Sequence, residues 1–210
     1  MPPRTKPLRK DAQRNRDLLI KTARELYAAR GLDVSLDEIA RTAGVSSGTL
    51  YNHFPDRADL IDAVFADRAA TVVRIAENAL AMEPWAGLVH FLERVCEQQA
   101  ADRGYNDLVS RRVPQAPPTG EHLRGYELMQ QIIERARRSG ALRDDVTLED
   151  MAFVTWGTAR TVEATAGIRP QAWRRHLALM LDGLRAPAAH PLPEPPLRPD
   201  ELVNAMRECS

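Results

Sequence analysis

The chain has 210 residues, 44% hydrophobic and 28% charged, enough for one or two domains with a packed core. Its 29 Lys/Arg and 29 Asp/Glu cancel, which argues against a nonspecific polyanion binder, yet residues 1–60 hold 11 basic against 8 acidic side chains and the remainder 18 against 21. Cys96 and Cys209 lie too far apart in sequence to suggest a disulfide framework, nothing resembles a signal peptide, and no apolar run approaches the roughly 18 residues of a membrane span. A cytoplasmic protein with no membrane partner is the expectation.

Residues 1–15 carry Pro2, Pro3 and Pro7 among Arg4, Lys6, Arg9, Lys10 and Arg14, with no apolar periodicity before Leu18. They predict a flexible basic arm that either tracks phosphates and the minor groove or is simply solvated. Residues 16–30 place Leu19, Ile20, Ala23, Leu26 and Tyr27 on one helical face, a scaffold covering the next two helices. Ser35 and Glu38 form a capping box, and Leu36, Ile39, Ala40 and Ala43 recur at helical spacing up to Gly44, a residue that ends helices in the left-handed conformation without steric cost. Val45 plugs a tight turn. Ser46 caps a helix of barely two turns, with Leu50 and Phe54 facing inward and Ser47, Gly48, Thr49, Asn52 and His53 outward, Tyr51 standing at the edge.

Two helices with this turn predict a helix-turn-helix, whose second helix enters the DNA major groove. The surroundings sharpen that prediction. Over residues 16 to about 66 the chain resembles the TetR family of bacterial transcriptional regulators, through Ala23, Leu26, Tyr27, Gly31, Ser35, Ile39, Ala40, Ala43, Gly44, Val45 and Ser46, and then Gly48, Thr49, Leu50, Tyr51, His53, Phe54, Arg57, Leu60 and Ile61. Ser47 and Arg57 stand where many members carry lysine, and Tyr27 where phenylalanine is usual. Chemically, Ser35 at a helix N-terminus and Tyr51, His53 and Arg57 are candidates for phosphate contact, the last three also being positions the family uses for backbone clamping. Base reading falls to Ser46, Ser47 and Thr49, with Gly48 letting the backbone approach closely. His53 as a solvent-exposed spectator and Ser35 as a cap alone are the plainer alternatives.

Pro55 interrupts the pattern, and a helix runs from Arg57 to about Ala81, its first turns facing the three-helix head and its far end the second domain. Further helices are predicted over 85–101, 105–112, 120–138, 147–165 and 171–185, the fourth apolar nearly all round. Six of the 15 prolines fall between 187 and 199, which predicts an extended or disordered tail with a short docking segment at Leu202, Val203 and Met206. The fold class is therefore all-α. Its expected parts are an arm (1–15), a three-helix helix-turn-helix head (16–66), a helical ligand-binding and dimerisation domain (67–186) and a Pro-rich tail (187–210).

Candidate pocket residues are Phe91, Tyr105, Tyr126, Met129 and Trp156, although side chains of this type at helical spacing are more often core. His122 and Arg160 are added because they project toward apolar faces, Arg160 with Glu163 forming either an internal ion pair or a polar handle. In the resembled family the last two helices pair across a twofold axis into a four-helix bundle, which implies a dimer interface through Trp156, Trp173, Leu177, Met180, Leu181 and Leu184.

The catalytic search finds five scattered histidines, no CxxC, no glycine-rich phosphate loop and no nucleophile elbow, so no enzyme, cofactor or metal site is expected. The resemblance implies a homodimer that binds a palindromic double-stranded DNA operator, represses, and is released by an unidentified, mainly apolar small molecule. An activator, or a helical small-molecule binder that has lost DNA reading, remain the alternatives.

Overall fold

The computed structural model describes residues 6–111 and 120–208, and the described residues form ten α-helices with no strand. The contacts divide the chain into two compact units, Met1–Asp67 with Arg103–Tyr105, and Arg68–Asp102 with Asn106–Ser210.

The first unit holds α1 (Lys6–Arg30), α2 (Leu36–Ala43), α3 (Ser47–His53) and the first turns of α4 (Arg57–Leu80). Helix α1 starts ten residues earlier than the apolar pattern predicts. Residues 6–15 are helical where a flexible arm was expected, and residues 1–5 of that arm lie outside the described residues. A polar segment joined to a periodic one propagates the helix at little cost, and Pro7 sits in the first turn, where its missing N–H is harmless. Leu19, Ala23 and Tyr27 from α1, Ile39 and Ala40 from α2, Leu50 and Phe54 around α3, and Leu60 and Val64 from α4 make the buried centre. Arg24 ties α1 to α4 by donating to the Val64 carbonyl (2.6 Å) and the Asp67 carboxylate (3.0 and 3.2 Å). The first turn of α6 (Arg103–Arg111) belongs to this unit: Tyr105 packs on Phe65 with ring centroids 6.0 Å apart, and a Cβ on Gly104 would lie 2.7 Å from the Tyr27 Cβ.

The second unit contains the rest of α4 and α6 with α5 (Pro84–Ala101), α7 (Gly120–Arg138), α8 (Leu148–Thr165), α9 (Ala172–Leu184) and α10 (Pro199–Glu208). Its core joins Ala76 and Ala79, Leu88, Phe91 and Leu92, Leu128, Met129 and Ile132, Met151 and Val154, and Trp173, Leu177 and Leu181. Helix α8 opens with a full capping box, Thr147 accepting from the Asp150 N–H and the Asp150 carboxylate accepting from the Thr147 N–H (2.8 Å). Helices α4 and α5 approach so closely that a Cβ on Gly87 would collide with the Ala79 carbonyl. Gly87→Ala is therefore expected to lose about 1–3 kcal/mol in urea unfolding despite alanine's higher helix propensity. Parent-like stability would show that the helices are not in backbone contact.

The C-terminal tail is more ordered than its prolines suggest. Leu142 and Arg185 form an isolated antiparallel bridge, the buried Arg143 guanidinium donates to the His190 carbonyl (2.6 Å) and to Asp145 (2.6 and 2.9 Å), and α10 carries half-buried Leu202 and Val203. The Asp145 carboxyl is held below its ordinary pKa by those Arg143 hydrogen bonds.

Candidate nucleic-acid interface

Two caps and one left-handed glycine set the geometry of α2 and α3. Ser35 accepts from the Glu38 N–H (3.2 Å), and Gly44 closes α2 at φ 70°. The other half of the expected capping box is replaced: the Glu38 carboxylate takes Arg30 of α1 instead (2.5 Å), which lowers its pKa and fastens α2 to the end of α1. Ser46 accepts from the Thr49 N–H (3.2 Å), and the Ser46 and Thr49 hydroxyls share a hydrogen bond of 2.9 Å. With Leu50 and Phe54 buried, helical geometry turns Ser47, Gly48, Tyr51 and Asn52 to the exterior, and all four are exposed.

Tyr51 is 47% exposed, so its phenol stands at the surface of this seven-residue helix. Thr49, His53 and Arg57 are half-buried at the margin of the same face. The sequence pattern did not single out two side chains that complete it. Asp37 on α2 accepts from Ser47 Oγ (2.7 Å), leaving the Ser47 oxygen as an outward acceptor. Arg16 on α1 lies over the Phe54 ring at 5.2 Å from its centroid and adds a cation beside α3. Burial pushes the Tyr27 phenol up, partly offset by the positive charge of nearby Arg57.

This arrangement presents hydroxyls, a backbone free of side chain at Gly48 and flanking cations on one surface, which suits the edges and phosphates of a duplex. Residues 19–64 match the model for bacterial regulatory proteins of the tetR family, and residues 83–186 match that for the C-terminal domain of SbtR-like transcriptional regulators. A TetR transcription regulatory protein from Mycobacterium vanbaalenii is 34% identical, the match covering 85% of this chain and 99% of that one (TM-score 0.46). The chain belongs to the TetR family.

It is accordingly a DNA-binding, helix-turn-helix transcriptional regulator, all-helical as expected. The HTH-type transcriptional regulator UidR of Escherichia coli K12 is 26% identical over 193 residues, covering 83% of this chain and 94% of UidR. The fold also matches the regulator FadR from Bacillus subtilis, solved in complex with stearoyl-CoA, at 20% identity and TM-score 0.59, covering 83% and 99% of the two chains. Among the described residues no helix of this TetR-family chain is long and apolar enough to cross a membrane, and no His, Cys, Asp and Glu side chains gather as a metal site. Burial pushes the Cys96 thiol up to about 12, far from thiolate chemistry.

The second unit of this TetR-family chain divides the pocket candidates. Phe91 and Met129 are buried in its core, and Trp156 is half-buried with its indole N–H on the Ser110 carbonyl (2.9 Å). Tyr105 packs in the head unit instead. His122 and Tyr126 are exposed on α7, whose buried side is Gly125, Leu128, Met129, Ile132 and Ile133, so His122 does not face the apolar side as its helical projection predicted. Arg160 does pair with Glu163 (2.7 Å), but at the surface, with its side chain 55% exposed. The interface candidates divide as well. Trp173, Leu177 and Leu181 are buried within the chain's own core and Leu184 packs partly against it, so of the predicted stripe on α9 only Met180 faces outward. Leu179 beside it, which the periodicity left aside, is 60% exposed.

Proposed function

We propose that this regulator is a cytoplasmic repressor that binds a palindromic operator as a homodimer and leaves it when a small molecule occupies the second domain. The observation that carries the DNA-reading part is the exposed Tyr51, Gly48 and Ser47 on a helix whose other side is locked inward by Leu50 and Phe54. Tyr51, His53 and Arg57 contact phosphates, with Ser35 adding its hydroxyl and helix-end N–H groups, and Ser46, Ser47 and Thr49 meet base edges. Half-sites read by so few polar side chains draw part of their discrimination from groove shape.

The dimer forms through the outward sides of α8 and α9. Leu179 and Met180 are exposed, Phe153 and Trp156 are half-buried with their rings 5.8 Å apart, and Gly157 lets His176 approach to 3.6 Å of where a Cβ would stand. Two heads must then stand about 34 Å apart or a multiple of it, so a ligand that favours a different spacing releases the DNA.

The test is a paired substitution. Tyr51→Phe should weaken binding roughly five-fold on every duplex alike, the loss of about one hydrogen bond to phosphate, while Thr49→Ala should change which half-site is preferred. Fluorescence anisotropy on a set of labelled duplexes separates the two, and a sequence-dependent Tyr51→Phe effect with a uniform Thr49→Ala effect overturns the assignment.

A further inference from the structure

Among the described residues, apart from Arg143, which is held in its own knot with Asp145 and the tail, every buried polar side chain of the second unit lies at one meeting of helices. Gln99 and Asp102 end α5, Asn106, Asp107 and Ser110 come next on α6, and Thr158 faces them from α8. Two contacts fix this meeting of helices: Asn106 Nδ2 donates to the Ala159 carbonyl (3.1 Å), and Trp156 donates to the Ser110 carbonyl (2.9 Å).

Within the cluster, polar capacity exceeds what the protein uses. Neither end of the Gln99 carboxamide has a hydrogen-bond partner in the protein, nor has Asn106 Oδ1 or Ser110 Oγ, although these residues are only 1%, 2% and 4% exposed. Native interiors rarely strand several such groups side by side, because each forfeits its hydrogen bonds to water on burial. The other unsatisfied buried atoms are one carboxylate oxygen of Asp107, a residue of the same cluster that is otherwise engaged, and Tyr27 OH, Gln98 Nε2, Arg137 Nε and Trp173 Nε1. Charge is equally telling. The buried ionisable groups here are the carboxyls of Asp102 and Asp107, and the Arg68 guanidinium is already engaged by Asp102 and by Gln98. Among the described residues no buried cation is left to neutralise an anion.

We propose that Gln99, Asn106 and Ser110 form the polar end of the ligand site and select an uncharged molecule bearing hydroxyl or amide groups, discriminating against carboxylates and phosphate esters. A hydroxyl or amide both donates and accepts: it serves the two carbonyl oxygens of Gln99 and Asn106 and takes the Gln99 N–H and the Ser110 hydroxyl proton. A carboxylate only accepts, so it strands those oxygens and meets the buried carboxyls of Asp102 and Asp107. The inference rests on the reading of the second domain as a ligand site.

The probes are matched pairs that differ in charge at one group, benzamide with benzoate and salicylamide with salicylate, at about 10 mM, so that weak binding still registers in the unfolding midpoint. The purified full chain, labelled with ¹⁵N, is monitored by thermal unfolding and by its side-chain amide resonances. The amides are expected to raise the midpoint by about 2 °C or more and to move the Gln99 and Asn106 signals, and the carboxylates to do neither. Gln99→Met should abolish the response while unfolding at or above the parent's midpoint, because it removes an unsatisfied carboxamide at similar volume. Ser110→Ala, a smaller change, should weaken the response.

Equal or stronger binding of the carboxylates, no response to either amide, or a response unchanged in Gln99→Met overturns the proposal. So does a lowered midpoint in Gln99→Met without amide binding in the parent, the result expected if ordered water meets these groups. Operator affinity measured in parallel separates the two readings. Amides that bind at Gln99 without loosening DNA contradict release by ligand and leave this site standing, whereas carboxylates that loosen DNA do the reverse.

Discussion

Gly48→Ala is expected to fold at least as well as the parent and to bind operator DNA about ten-fold or more weakly. Its Cβ would meet only Ser46 Oγ, at 3.9 Å, so the free protein has room for it, and alanine's helix propensity adds up to about 1 kcal/mol. The loss arises only in the complex, where the added carbon stands between the α3 backbone and the base edges and each 1.4 kcal/mol is about ten-fold in affinity. Thermal unfolding and anisotropy on one preparation check both signs. Unchanged affinity would mean that α3 does not bring its backbone close to the duplex.

Glutamate placed on opposite sides of α9 is expected to give two different failures. Leu177 is 1% exposed inside the second unit's core, so Leu177→Glu buries an unpaired carboxylate. Its cost of several kcal/mol rivals the 5–15 kcal/mol that holds a domain together, and a protein without a cooperative thermal transition should result. Leu179 is 60% exposed. Leu179→Glu should keep helix content and midpoint in circular dichroism but sediment as a monomer with operator affinity reduced by an order of magnitude or more, since one head makes half the contacts. A dimeric Leu179→Glu would place the interface elsewhere.

That contrast also marks what the amino-acid pattern conveys. The apolar period on α9 correctly gave the helix and the buried side at Trp173, Leu177 and Leu181, but a stripe records that a side is covered without recording by what, and here the cover is the chain's own α5 and α8. Caps were the most legible signals, because Ser35 and Ser46 act within three residues of themselves. Contacts between distant residues were not legible: Glu38 was read with Ser35 but its carboxylate turns to Arg30, and Ser47 finds Asp37 across the turn. Lys6–Asn15 lacked any periodicity to announce a helix. Leu50 and Phe54, four apart, fix the rotation of so short a helix, so Ser47, Gly48 and Asn52 were foreseen as outward, whereas Thr49 and His53 are half-buried and Tyr51, expected at the edge, is exposed. Gln99 falls on the apolar face of its helix by spacing but was not read as a site residue, and Asn106 and Ser110 were passed over because single polar residues in a short amphipathic segment look like solvated positions until α5 and α6 bring them together.

The exposed face of α3 is proposed to read sequence from a symmetric pair of heads. Selection of bound duplexes from a random-sequence pool by the purified full chain at near-physiological salt, beside Leu179→Glu, tests it most directly. A palindrome with half-sites about one helical turn apart or a multiple of it should be enriched by the parent and lost with the variant. A folded parent that enriches no sequence, or only a single unpaired half-site, would contradict it.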